Sequence, residues 1–168
     1  MTVTTFRSLF TPAVISPSVQ QALSLAEEWE GLSGERQMVA SVLRWMLKVG
    51  WLGSASRAAF EVPWRGRRID LVTSNSKGML STFEFKLGGT GRAFEQALYN
   101  SSSANRSFIV SGGKPTLGYQ SMAEAHGLGI IVVNGRVELL QRPSLQKPDP
   151  EVLRALRSRA MARSNVYV

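Results

Sequence analysis

The chain has no cysteine and a single histidine, His126. The first absence removes disulfides, thiolate metal sites and cysteine nucleophiles. The second makes histidine-rich metal centres and Ser-His-Asp chemistry poor expectations. Any catalysis falls to carboxylates, lysine, arginine and a metal. No apolar run approaches the roughly 18 residues of a membrane span, and Met1 to Gln20 lacks the charged start and apolar centre of a secretion signal. A cytoplasmic protein with no membrane partner is expected. Lysine is scarce too, limited to Lys48, Lys77, Lys86, Lys114 and Lys147, so arginine supplies most of the net charge of +8. Arginine forks match phosphate oxygens in pairs, which favours nucleic acid as partner, although acidic proteins attract such a surface as well.

With 168 residues, 43% hydrophobic and 19% charged, the composition is that of one globular domain with its own core. Residues 1–17, rich in Ser, Thr and Pro, read as an N-terminal arm. A core follows over 18–142, then a linker and a basic C-terminal helix over 143–168. Ser18 is placed to cap a first helix running to about Trp29. Ser33 begins a second, to about Val49, with Met38, Val42, Trp45, Met46 and Val49 as its apolar stripe. Between Arg57 and Lys86 the period falls to two, predicting strands over 58–62, 67–73 and 80–87 joined by short turns. A helix over about 92–103 and a strand over 106–111 come next, the Phe108-Ile109-Val110 run implying burial on both faces and a parallel pairing. A helix near 117–126 precedes a buried strand over 129–133. A short strand over 137–141 then pairs back through Asn134-Gly135.

Two polar interruptions stand out in the strand region. Asp70 lies in Arg68-Ile69-Asp70-Leu71-Val72, and Glu84 and Lys86 lie in Thr82-Phe83-Glu84-Phe85-Lys86-Leu87. Alternation puts Glu84 and Lys86 on one face of their strand and Phe83, Phe85 and Leu87 on the other. If the register of the antiparallel neighbours permits, Asp70 meets Glu84. Two carboxylates so close repel unless a cation lies between them. Mg²⁺ suits such a site, and Mn²⁺ can replace it, with water and phosphate completing the oxygen shell. Phosphodiester hydrolysis uses this chemistry, with Lys86 available to the attacking water or to the charge growing on phosphorus.

The order helix, three strands, helix, strand, together with Ile69-Asp70 and Glu84-Phe85-Lys86, resembles the PD-(D/E)XK, or restriction-endonuclease-like, superfamily over Ser33 to Val133. The resemblance implies an α/β fold with an αβββαβ core, a central mixed sheet flanked by helices, and a Mg²⁺-dependent nuclease acting on DNA. It would make Asp70 and Glu84 metal ligands and give Lys86 to the nucleophile. Many members carry a further glutamate early in the helix before the meander, where Glu35 stands. The motif's proline is replaced by Ile69. The exonuclease-like branch often has a glutamine and a tyrosine four apart on the following helix; Gln96 and Tyr99 are three apart, and Gln96 still shares a face that can reach the site. Nothing in the residues separates DNA from RNA. Two cuts on two strands need two active sites, which makes a homodimer or a larger DNA-processing assembly natural.

Blander readings stand beside these. The acids and Lys86 can form a solvated surface cluster with Lys86 pairing Glu84, and the same fold can serve as a non-catalytic nucleic-acid-binding or assembly protein. Glu35 in a first helical turn is favoured by the helix dipole alone. Glu61 is expected to pair with an arginine of the turn that follows it. Arg65, Arg67, Arg68, Arg92, Arg154 and Arg157 are candidate nucleic-acid contacts or a solvated basic face. Gly88 to Gly91 lacks the Lys-Ser/Thr ending of a nucleotide loop and reads as a turn into a helix facing the nucleic-acid backbone. His126 reads as a cap or surface residue. Of the tryptophans, Trp45 belongs to the core and Trp64, in a turn, is expected to be the exposed one.

Overall fold

The computed structural model describes residues 16–88 and 91–164, so the N-terminal arm lies almost wholly outside the described residues. Helix α1 spans Pro17–Glu28. Its cap is Ser16 and not Ser18: the Ser16 hydroxyl accepts the Val19 N–H, with Pro17 in the first helical position, where its missing N–H costs nothing. Ser18 instead faces the sheet and bonds both backbone polar groups of Ala58. A 3₁₀ turn, Glu35–Met38, leads into α2, Val39–Lys48. The helix therefore starts later than Ser33 suggests, because Gly34, at φ 91°, breaks the chain's direction without offering a capping side chain. Met38, Val42 and Met46 are buried as their spacing requires, Trp45 is half-buried, and Val49 at the helix end is exposed.

Six strands follow: β1 Arg57–Trp64, β2 Arg67–Ser74, β3 Leu80–Lys86, β4 Arg106–Ser111, β5 Gly129–Asn134 and β6 Arg136–Gln141. They form one sheet in chain order. β1 to β3 are an antiparallel meander, β3, β4 and β5 run parallel, and β6 folds back antiparallel. The parallel steps are made by α3, Gly91–Ser101, and α4, Leu117–Ala125; α5, Pro150–Ser164, closes the chain. The β1–β2 turn is two residues, Arg65 at φ 47° and Gly66 at φ 78°, the left-handed pair that matches the twist of a hairpin. The architecture is α/β, a mixed sheet with α1 and α2 on one face and α3, α4 and α5 on the other. Among the described residues no helix is long and apolar enough to cross a membrane.

β1 is an edge strand, and part of its outward backbone is covered. Ser18 takes the Ala58 N–H and carbonyl, and Arg163 donates to the Phe60 carbonyl. Such covering removes a template for strand addition. Trp64 corrects the sequence expectation: it is 8% exposed and its Nε1 donates to Ser103 Oγ at 3.0 Å, so it anchors the hairpin to the segment after α3. Gly129 opens β5 beneath the Phe108 ring, where a Cβ would lie 2.5 Å from the ring carbon. Gly129→Ala is expected to lower stability by about 1–3 kcal/mol through overpacking, read by urea or thermal melting.

Candidate functional site

The β2–β3 ladder runs from Ser74 and Leu80 as far as Leu71 and Phe83, and there it stops. Continued one step, the register places Asp70 opposite Glu84. β3 instead stays with β4 through Lys86 and Ser111, so a fork opens between β2 and β3. The Phe85 N–H, left without a strand partner, donates to Asp70 Oδ2 at 2.9 Å. The fork thus fixes one carboxylate with the backbone of the neighbouring strand.

Glu84 lies on the face of β3 that meets α3 and is 2% exposed. Its Oε1 accepts from Asn100 Nδ2 on α3 at 2.8 Å, whereas Oε2 is buried with no hydrogen-bond donor facing it. Burial, then the Asp70 carboxylate, push the Glu84 carboxyl up to about 9, against the opposing pull of the Asn100 amide and Lys86. Burial raises Asp70 as well, opposed chiefly by the Phe85 N–H. Each carboxyl thus favours its protonated form beside the other, and Glu84, pushed up the further, is the one that favours holding a proton at neutral pH. Oε2 is therefore answered either by that proton or by a cation set between the carboxylates.

Lys86 does not pair with Glu84. Its Nζ lies 3.6 Å from Glu35 Oε1, across the fork in the 3₁₀ turn before α2. Glu35, Glu61, Asp70 and Lys86 line a cleft of about 140 Å³, with Trp29 and Arg36 at its rim. A solvated surface patch would not bury Glu84, so this blander reading fails. Glu61 stands opposite Asp70 by the register of β1 with β2, and pairs with Arg68 at 3.6 Å, as expected of an acid beside that turn. Its φ of 52° is strained for a non-glycine residue. That turn of the backbone reverses the alternation of β1, so Phe60 packs toward α1 and α2 while Val62 packs toward α5.

Among the described residues no three acidic or histidine side chains surround one point. The converging pair is Asp70 and Glu84. Two carboxylates suit Mg²⁺, which keeps much of its shell as water and phosphate. The orphaned Glu84 Oε2 and the raised carboxyls are the features a divalent cation would relieve, so the donor set fits the ion. Gln96 is half-buried on α3, and the contact to the acids is made one turn later by Asn100. The sequence reading missed Asn100, whose one available signal was its place four residues after Gln96, the spacing that Tyr99 fails to meet. Asn100→Ala is expected to lower stability by about 1–3 kcal/mol by leaving the buried Glu84 without its donor. It should also weaken Mn²⁺ binding by about 10- to 100-fold, read by calorimetry.

Arg65, Arg67 and Arg68 are exposed at the β1–β2 turn, at the forked end of the sheet. Arg65 lies over the Trp64 ring and Arg67 over the Tyr99 ring, 5.2 and 4.8 Å from the centroids, which orients both guanidinium groups. Arg92 is exposed in the first turn of α3. Arg154 and Arg157 are not brought to this end. They lie in the first turns of α5, and Arg157 donates to the Gly78 carbonyl of the β2–β3 turn, docking the helix. His126 caps α4 as expected, its Nδ1 2.9 Å from the Met122 carbonyl.

No protein family and no curated protein matches the sequence. The fold is similar to that of a protein of unknown function from Silicibacter pomeroyi, with a TM-score of 0.62 and 16% identity over 81% of this chain and 89% of the other. That likeness concerns the fold alone.

Proposed function

We propose that the protein is a metal-dependent nuclease of the PD-(D/E)XK type, with the restriction-endonuclease-like core around its forked strands. The observation that carries this reading is the meeting of Asp70 and the buried Glu84 at the fork, with Glu84 Oε2 orphaned and Lys86 lining the cleft beside Asp70. Asp70 and Glu84 would hold Mg²⁺ or Mn²⁺, which when bound supplies an activated water and neutralises phosphate charge. Lys86, steadied by Glu35, presents an ammonium to the nucleophile or to the developing charge. Asn100 fixes the rotamer of Glu84, and the Phe85 N–H fixes Asp70. The cleft is too small for a free nucleotide, since ligand pockets run from about 300 Å³ upward. It accommodates a phosphate on a strand lying across it. Arg65, Arg67, Arg68 and Arg92 flank that path, and the net charge of +8 draws a polyanion to it.

The test is cleavage of plasmid, single-stranded DNA and RNA with Mg²⁺ by the unaltered protein, Asp70→Ala and Lys86→Ala. Cleavage confined to the unaltered protein supports the assignment. Equal cleavage by all three sinks it, and nucleic-acid binding without cleavage by any points to the non-catalytic binding protein. Arg67→Ala is expected to weaken DNA binding and to flatten its salt dependence by about one unit in log–log slope.

A further inference from the structure

We infer that a second pocket, on the α2 face at the end of the sheet away from the fork, binds a phosphate monoester with an aromatic or apolar body. Its volume is about 440 Å³, within the range of small-ligand sites. Thr73, Ser81 and Arg106 stand side by side across β2, β3 and β4, paired in register as Thr73 with Ser81 and Ser81 with Arg106. Adjacent strands are about 4.8 Å apart, so the row offers two hydroxyls and a guanidinium across about 10 Å. Lys77, from the β2–β3 turn, adds an ammonium at the rim. None of these four side chains makes a hydrogen bond or ion pair among the described residues.

No acidic side chain is among the described residues that line the hollow. The core-facing side of a strand is normally apolar, and Phe83, the next residue on this face of β3, is fully buried. Thr73 is only 5% exposed, and it is among the residues that line the hollow. Two cations with no counter-charge and two hydroxyls open to the hollow suit an anion with several acceptor oxygens, as a terminal phosphate has. The Trp51 edge and Phe83 supply the apolar wall for the rest of the ligand. Five residue steps of β3 take Ser81 to Lys86, about 16 Å of strand, so this pocket is distinct from the acid cleft. Its ligand is therefore either a free nucleoside monophosphate or the 5′-phosphate end of a strand.

Titration calorimetry of the full chain in EDTA, which takes the acid site out of play, tests this with AMP and adenosine as probes. AMP is expected to bind and adenosine to fail. Arg106→Ala and, separately, Ser81→Ala should weaken AMP by about ten- to a hundredfold. Lys114→Ala, which removes the same charge beyond the other end of β4, should leave AMP binding intact, and melting curves verify that the variants fold. A 5′ phosphate that tightens binding of a short DNA strand in the unaltered protein, but not in Arg106→Ala, assigns the site to strand ends. Equal binding of the two strands, with AMP binding retained, assigns it to the free nucleotide. The inference is overturned if neither AMP nor adenosine binds, if both bind alike, or if both pocket variants keep full AMP affinity.

Discussion

Glu84→Gln is expected to abolish Mg²⁺-dependent cleavage, by about 10²–10³-fold or more, while making the metal-free protein more stable at pH 8. The two effects have one cause. In the folded chain burial and Asp70 hold the Glu84 carboxyl neutral up to about 9, whereas the unfolded chain releases that proton near the ordinary glutamate value of 4.5. A raised carboxyl contributes its full stability below 4.5 and loses it progressively as the pH climbs toward 9, because only the unfolded state gives up the proton over that window. By pH 7 the loss amounts to about 3 kcal/mol. Glutamine has the shape of the neutral acid, keeps an amide N–H for Asp70, and has no proton to lose. The melting temperature of Glu84→Gln should therefore stay flatter between pH 5 and 9.

Metal moves the comparison the other way. A divalent ion between Asp70 and Glu84 needs Glu84 ionised, so binding at pH 7 should release about one proton, read by calorimetry in buffers of different ionisation enthalpy. At a hundredfold excess over its Kd, Mn²⁺ should stabilise the unaltered protein by about 2.7 kcal/mol and leave Glu84→Gln unchanged. Cleavage by Glu84→Gln at the unaltered rate, or a pH–stability profile identical to that of the unaltered protein, would overturn the assignment of Glu84.

The acids were legible in the sequence because a strand rich in phenylalanine has no local reason to carry Glu84, and because period-two alternation gave the strand bounds to within a few residues. What alternation cannot supply is depth. It put Glu84 on a charged face, and the structure buries that face under α3, where Asn100 answers the carboxylate. Asn100 escaped because the serines after it blurred the helix end. Trp64 was misplaced for a related reason: a two-residue turn read as exposed, yet Ser103, distant in sequence, closes over the indole. The cap at Ser16 instead of Ser18 turned on Pro17, which fixes the first helical residue, and on Ala58, whose edge groups engage Ser18. Such cross-chain partners leave no periodic trace.

Lys86→Ala is expected to separate chemistry from metal binding, lowering the cleavage rate by about 10²–10³-fold with Mn²⁺ affinity retained. Lys86 is a cation on the last position of β3, one strand residue beyond Phe85, and cannot itself ligate a metal while protonated. Its removal takes a positive charge from the cleft and leaves Asp70 and Glu84 with their Phe85 and Asn100 donors. Among the described residues the ammonium has one acidic partner in contact, Glu35 at 3.6 Å, and both groups are partly exposed, so that ion pair contributes little to stability. Its consequence is positional. Glu35→Gln should cost less rate than Lys86→Ala, because the ammonium survives and loses only its tether, and the double variant should be no slower than Lys86→Ala alone. If the two losses instead add, Glu35 acts independently of the lysine, as a third acid for the metal, and Mn²⁺ affinity should then fall in Glu35→Gln. If Lys86→Ala cuts at the unaltered rate, the nucleophile has no need of the lysine and the parallel with PD-(D/E)XK chemistry fails at that residue.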